Sequence, residues 1–172
     1  MKNTYLLIVV FMFLSSFAFA QEEEKEPKHL ITVALGYTFI PSGSPTGSHE
    51  EEEGAFVPSI GIDYFYRLSS RWEIGIMSDL ELGEYVIIHK DLNRENAFLV
   101  AAVASYSLTK GLNVFAGGGM EFEKHHNLGV IRLGTEYAFK FNKGWVLAPG
   151  LFFDFKEGTD TWSLSIAFGK EF

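Results

Sequence analysis

The ionisable side chains that could do chemistry recur at every second position of several strand-like segments. Asp63 and Arg67 share one such face, and Glu73 and Asp79 share another. Charges on the inner face of a small protein must pair and form hydrogen bonds, because an isolated buried charge is costly. The pattern predicts a structural charge network, with Arg132 paired to Glu136 and Glu121 at its centre. Its members are Asp63, Arg67, Glu73, Asp79, Glu121, Arg132, Glu136 and Lys140.

The histidines suggest a second kind of chemistry. His49, His89, His125 and His126 fall in predicted loops, and the acidic run 50–53 follows the first of them. Imidazole and carboxylate together can bind a divalent cation. The spacing is not that of a metal site, however, and a solvated loop surface explains it equally well. We therefore expect no metal and no cofactor.

An acyl hydrolase would need a nucleophile held by a base and a carboxylate. The segment 123–127 (EKHHN) offers histidine beside glutamate but no serine, and the chain has no cysteine. The position two residues after His126 is Leu128. The chain is therefore not expected to be an enzyme.

Period-two alternation organises these residues from Leu30 to the end of the chain, in about eight segments. Successive side chains of a strand point to opposite faces. In the last segment one face is bulky and apolar: Trp162, Leu164, Ile166, Phe168 and Phe172. The other face is small or polar: Thr161, Ser163, Ser165, Ala167, Gly169 and Glu171.

The small and polar face decides between two kinds of β-protein. A soluble β-sandwich or lipocalin-like barrel also alternates, but it needs a dry apolar core. Ten to twelve residues suffice for a tilted strand to cross a bilayer. We predict an all-β protein: an eight-stranded antiparallel up-and-down transmembrane β-barrel with its apolar face outward. The net charge of -8 argues against nucleic-acid binding.

The connections and the aromatic residues fit this architecture. Tight turns at 69–71, 109–111 and 142–144 alternate with four other connections, of which those at 42–55 and 84–96 are long and those around 124–127 and 157–160 are short. Aromatic residues cluster at both ends of the strands, as expected for two interfacial girdles. Pro149 lies within a strand and cannot donate to the ladder, so we expect a bulge or local break there.

The N-terminus divides into two further segments. Residues 1–20 have a positive start, an apolar run and an Ala18-Phe19-Ala20 cleavage pattern. These features are those of a secretory signal peptide; the run is too short for a membrane anchor. Residues 21–29 are polar and are predicted to be a disordered mature N-terminus, which leaves 30–172 for the barrel.

The C-terminal strand carries a family resemblance. Phe172 is preceded by apolar residues at alternate positions, although Lys170 departs from the usual pattern. With the stretches 115–123, 132–139 and 145–154, it resembles small outer-membrane β-barrel proteins of the porin-like or OmpA-like group. The resemblance implies a bacterial outer-membrane location, contact with outer-membrane lipid and a monomer. It also implies assembly by the barrel assembly machinery, with Phe172 as the assembly signal.

Three functions remain open at this point. The first is a structural, envelope-maintenance or surface-interaction role, and the second is a narrow ion or small-solute channel. The third is a lipid A-modifying enzyme, disfavoured because Leu128 stands where lipid A deacylases place serine. For the first role, the segment Tyr85 to Ile88 is expected to protrude beyond the membrane and present a free strand edge to a surface partner.

Overall fold

The fold is built almost entirely of strands. A computed structural model describes residues 27–45, 54–87, 92–124, 126–156 and 159–172. The strands are β1 (His29–Ile40), β2 (Gly43–Pro45), β3 (Ala55–Arg67), β4 (Trp72–Glu81), β5 (Glu84–Ile87), β6 (Leu92–Glu95), β7 (Phe98–Ser107), β8 (Leu112–Phe122), β9 (Leu128–Tyr137), β10 (Phe139–Lys140), β11 (Trp145–Lys156) and β12 (Thr161–Glu171). A 3-10 turn occupies Asn142–Gly144. Among the described residues, no helix has the length and hydropathy required to span a membrane.

Eight long strands close into an antiparallel barrel. Their order is β1-β3-β4-β7-β8-β9-β11-β12, and β12 pairs back onto β1, with Leu35 opposite Ile166. Closure pairs both sides of every long strand, so the barrel has no free edge. The predicted eight-stranded antiparallel barrel is confirmed.

The barrel is apolar outside and mixed inside. On β12, Leu164 is 65% exposed and its neighbours Trp162, Ile166 and Phe168 are exposed as well. Alternate residues such as Ala167 are buried. The exposed band contains large apolar side chains on every long strand, and such a surface is stable only in contact with lipid.

The two ends of the barrel differ in their connections. We call the end with the short connections 68–71, 108–111 and 141–144 the turn end, and the opposite end the loop end. Trp72 and Trp145 are exposed at the turn end, and Phe56 and Trp162 are exposed at the loop end. These aromatic residues form the two predicted girdles.

The β7–β8 pair depends on glycine for its close approach. A Cβ atom added to Gly119 would lie 1.9 Å from the Val100 carbonyl oxygen, and one added to Gly117 would lie 2.1 Å from that of Ala102. Neither gap admits any side chain. The inner face of β8 is therefore open at these positions and leaves room for long side chains from other strands.

Pro149 interrupts the ladder as predicted. Tyr137 ends β9 and Phe139 starts β10, so Ala138 between them lies outside both strands. The register is the same on both sides of this gap, because Glu136 faces Gly150 and Phe139 faces Leu147. Proline lacks the N–H that this side of the ladder would need.

A second, three-stranded sheet stands beyond the barrel at the loop end, in the order β2-β5-β6. We call it the outer sheet. Its central strand β5 pairs with β2 on one side and β6 on the other. Tyr85 and Ile87 point inward and are buried against Ile40, Ala55 and Val57.

The outer sheet corrects the expectation of a free edge at Tyr85 to Ile88. For the described part, Glu84–Ile87, both edges are already hydrogen-bonded, so strand addition to β5 is prevented. The alternation of side chains in this short segment indicates that one face is buried against the barrel mouth, and it does not indicate an exposed strand edge. Ile88 lies outside the described residues.

The predicted signal peptide, residues 1–20, lies outside the described residues, as does most of the predicted disordered N-terminus, 21–29. The described chain begins at Pro27, and β1 begins at His29, opposite Tyr66. His29 also exchanges both backbone hydrogen bonds with Phe172, at 3.0 and 2.9 Å. The two ends of the described chain therefore meet at the turn end.

Candidate functional site

The barrel interior gathers the charged side chains that the sequence singles out, and the inner face of β11 orders them. From the turn end to the loop end this face presents Val146, Ala148, Gly150, Phe152, Asp154 and Lys156, all buried. Each of these residues lies at a different height along the barrel axis.

Lys156 belongs to a charge cluster at the loop end, which we call the loop-end cluster. It comprises Arg94, Glu121, Lys156, Glu81 and Tyr85. Glu121 pairs with both Arg94 and Lys156, and the Lys156 ammonium lies 3.3 Å from Glu81. The four charged side chains are at most 4% exposed. Opposite charges in contact offset the cost of burying each of them.

Tyr85 completes the loop-end cluster from the outer sheet. Its hydroxyl donates to Glu81 over 2.8 Å. Burial, reinforced by the negative charge of Glu81, raises the pKa of the Tyr85 phenol above its ordinary value, so this hydroxyl stays protonated and remains a donor. Arg94, from β6, also donates to the backbone carbonyl of His126. The outer sheet is thus bonded to the barrel through both β5 and β6.

Arg132 forms the next layer, which we call the Arg132 cluster. Its guanidinium bonds both oxygens of Asp154, at 2.7 and 2.8 Å, and one oxygen of Asp79 at 2.5 Å. Two parallel bonds to one carboxylate fix the geometry of the pair. The guanidinium carbon also lies 5.5 Å from the centre of the Phe152 ring.

The Arg132 cluster corrects the predicted central pairing. Arg132 does not pair with Glu136 or Glu121; its partners are Asp154 and Asp79. Glu136 lies nearer the turn end and accepts a 3.3 Å bond from the Asn113 amide, and Glu121 belongs to the loop-end cluster. Shared parity puts these residues on one face, but the strand register decides which of them lie at the same height.

A layer of three phenylalanines lies beneath Arg132. The ring centroids of Phe65 and Phe115 are 5.7 Å apart, and those of Phe115 and Phe152 are 5.8 Å apart. All three side chains are buried, and tilted rings at this distance attract each other. We call them the phenylalanine layer.

The sequence reasoning missed this layer, although the signal is present. Phe65 lies between Tyr64 and Tyr66, so the apolar run hides which face it is on. Its parity is nevertheless that of Asp63 and Arg67, the inward side chains two positions away. Phe115 and Phe152 have the parity of inward residues in the same way. Parity also places Asp154 on the inner face, whereas Arg94, in the short outer strand β6, carries no such signal.

Asp63 remains apart from the cations. Its carboxylate accepts from the Thr32 hydroxyl at 3.1 Å and from the Ser78 backbone N–H at 3.2 Å. Among the described residues it has no ion pair. The predicted charges therefore form separate groups rather than one network.

Below the phenylalanine layer the interior opens as a cavity of about 890 Å³ at the turn end, which we call the vestibule. Arg67 bridges Glu73 at 3.0 Å and Glu171 at 2.6 Å, and Lys140 pairs with Glu171 at 2.7 Å. Arg67 also donates to the Pro27 carbonyl over 2.9 Å. The vestibule wall is thus a mixture of apolar side chains and charged side chains that are linked by ion pairs.

The remaining sequence candidates are not gathered into a site. His49, His89 and His125 lie outside the described residues, and His126 is exposed. In the part of the chain that is described, no three histidine, cysteine or acidic side chains are close enough together to hold a metal ion. Phe172 stacks on His29 with ring centroids 5.4 Å apart. Its role as an assembly signal remains a prediction.

Two solved structures are similar in fold. Neisserial surface protein A is 10% identical, with 87% of this chain and 100% of that chain covered and a TM-score of 0.59. Ail, the attachment invasion locus protein of Yersinia pestis, in complex with the heparin analogue sucrose octasulfate, is 9% identical. That match covers 84% of this chain and 99% of Ail, with a TM-score of 0.53. At such identities the similarity concerns the fold alone.

The sequence comparisons are more specific. No curated protein sequence matches the chain. A family described as "Putative MetA-pathway of phenol degradation" matches residues 24–172. The closed barrel, the apolar exterior and the aromatic girdles identify an integral protein of the bacterial outer membrane. Because such barrels have short periplasmic turns and longer outer loops, we expect the loop end at the cell surface and the turn end in the periplasm. The chain belongs to the family described as "Putative MetA-pathway of phenol degradation", and it is a small outer-membrane β-barrel protein of that family.

Proposed function

We propose that the protein is a closed, non-conducting barrel that maintains the outer membrane and presents its loop end to partners at the cell surface. The observation that carries this proposal is that successive layers of side chains fill the interior along the barrel axis. The phenylalanine layer, the Arg132 cluster and the loop-end cluster follow one another at successive inward positions of β11: Phe152, Asp154 and Lys156. An eight-stranded barrel has an interior just wide enough for side chains to fill.

The surface part of the proposal is supported by the outer sheet. β5 and β6 project beyond the barrel and are held by Arg94 and Tyr85, so the sheet is a built element rather than a loose loop. Its solvent side exposes polar residues such as Asn93 and Glu95. A partner would contact this face rather than a strand edge of β5.

The channel alternative has one argument in its favour. The family description names phenol degradation, which would suit a route for a small aromatic solute. Such a route would have to pass the phenylalanine layer and two layers of buried ion pairs. The vestibule would then be the periplasmic half of the path.

Single-channel recording in planar bilayers distinguishes these two functions. We expect the refolded wild-type protein to show no conductance steps. The Arg132→Ala/Phe115→Ala/Phe152→Ala variant removes side chains from two layers and is expected to show transient steps. A matched variant, Phe153→Ala, changes the neighbouring ring, which packs on Trp162 rather than on Phe115, and is expected to stay silent. Stable steps from the wild-type protein would refute the proposal and favour the channel.

Lipid A modification is the third function. The described residues of the segment 123–127 give it no support: His126 is exposed, and the Asn127 side-chain oxygen accepts from the Glu123 backbone N–H over 3.2 Å. We expect lipid A from cells with and without the gene to have the same mass distribution. A mass change equal to an acyl chain would establish the enzyme instead.

A further inference from the structure

The turn end carries exposed cations although the chain as a whole is acidic, with a formal charge of -8. We call these residues the cation ring: Lys28, Arg71, Lys110, Lys140, Lys143 and Lys170. The turn end consists of the two ends of the described chain, which lie together, and three short connections, and each of these four parts contributes at least one of the cations. Lys28 and Lys170 lie beside the two ends of the described residues, and the other members lie in or beside the connections β3–β4, β7–β8 and β10–β11.

In the described part of the chain, five of these six cations have no ion pair, and Lys140 is the one member that has one, to Glu171. The acidic residues of the turn end face the vestibule instead: Glu73 and Glu171 bind Arg67, and Glu136 binds Asn113. Of the six cations, Arg71, Lys110 and Lys140 line the rim of the vestibule, whereas Lys28, Lys143 and Lys170 lie outside its lining.

The cation ring lies at the level of the periplasmic aromatic girdle. The Arg71 guanidinium donates to the Tyr106 hydroxyl over 3.2 Å, and the Lys170 ammonium lies 5.7 Å from the centre of the Trp145 ring. Aromatic residues of such girdles lie at the headgroup level of the membrane. Long basic side chains beside them extend into the same layer. The phosphates of the surrounding leaflet therefore lie at the same height as this ring.

The loop end has the opposite character. Its described residues expose the acids Glu84, Glu95 and Asp160, and Lys124 is their exposed cation. The distribution of charge therefore distinguishes the two membrane surfaces.

We propose that the cation ring binds the anionic headgroups of phospholipids in the periplasmic leaflet, so that negatively charged lipids are enriched around the barrel. Basic residues at a membrane surface attract anionic lipids, and salt weakens the attraction. The six charges are spread around the circumference, and three of them, Lys28, Lys143 and Lys170, lie outside the lining of the vestibule. This arrangement fits a shell of several headgroups better than a single soluble anion.

Lipid preference in reconstituted vesicles tests the proposal. The full mature protein is placed in vesicles of phosphatidylcholine with a minor fraction of spin-labelled phosphatidylglycerol or, in parallel, spin-labelled phosphatidylcholine. Both leaflets contain the probe, so the orientation of the protein does not matter. We expect the wild-type protein to immobilise several-fold more phosphatidylglycerol than phosphatidylcholine, and the excess to fall as NaCl is raised.

Two variants distinguish an effect of the cation ring from an effect of positive charge elsewhere on the protein. Arg71→Gln/Lys110→Gln/Lys143→Gln/Lys170→Gln is expected to lose most of the preference, whereas Lys124→Gln at the loop end is expected to keep it. All five side chains are exposed. A wild-type protein without preference, or a quadruple variant with an undiminished one, would overturn the proposal. So would co-sedimentation with isolated peptidoglycan in the absence of a lipid preference. The salt dependence of the wild-type protein decides the matter if the quadruple variant does not fold.

Discussion

At the scale of single residues, the most constrained side chain is Arg132. It contacts two carboxylates and lies over an aromatic ring while only 2% of its side chain is exposed. A buried ion pair adds little stability compared with a well-packed apolar core, but removal of one member leaves the other charge uncompensated. Removal of the Arg132 side chain is therefore expected to destabilise the protein by more than the ion pairs stabilise it.

The first prediction concerns this residue. Arg132→Ala should lower the free energy of unfolding by about 3–5 kcal/mol, because Asp154 and Asp79 lose their cation. Equilibrium urea unfolding of the protein in lipid vesicles measures it. Lys140→Ala, at a half-exposed pair, should cost less than about 1 kcal/mol. The double variant Arg132→Ala/Asp154→Ala should recover part of the loss. An Arg132→Ala variant as stable as Lys140→Ala would show that the pairing is wrong.

How much of the interior the sequence predicts depends on the residue. Alternation places Asp63, Asp79, Glu121 and Arg132 on one face without further information. It cannot say that Arg132 meets Asp154 rather than Glu136, since heights in a barrel follow from strand register and tilt. Arg94 was unpredictable for another reason: it reaches the interior from the outer strand β6, which is four residues long.

At the scale of elements, the outer sheet is the feature that the sequence describes least well. The apolar residues of β5 indicated a strand, and β5 is one. Their burial on the barrel mouth depends on β2 and β6, which are three and four residues long and carry no signal of their own. By contrast, the break at Pro149 followed directly from the chemistry of proline.

The second prediction tests how the outer sheet is held. Ile87 is fully buried, so Ile87→Ala should cost the outer sheet about 2–5 kcal/mol of local stability. Amide hydrogen exchange in residues 84–95 should accelerate accordingly, while the eight long strands stay protected. Val86→Ala, on the opposite and less buried face, serves as the control. Unchanged exchange in Ile87→Ala would mean that the outer sheet does not depend on packing against Ile40 and Val57.

At the scale of the whole molecule, the fold was predictable because a transmembrane barrel inverts the usual distribution of side chains. Bulky apolar residues alternate with small or charged ones over strands long enough to cross a bilayer. The same inversion left the interior ambiguous, since a face of small and charged residues suits either a plug or a wet pore. Phe65, Phe115 and Phe152 favour the plug, and they were hidden within apolar runs.

The accessibility of the interior to water tests the closed barrel most directly. The chain has no cysteine, so an introduced cysteine is unique. Ser107→Cys faces the vestibule, and Ala101→Cys is a fully buried position further along the same inner face of β7. With a small charged thiol reagent added to the folded protein in micelles, Ser107→Cys should react promptly. Ala101→Cys should stay unmodified until urea unfolds the barrel. Equal rates at the two positions would show a hydrated passage and would contradict the closed interior.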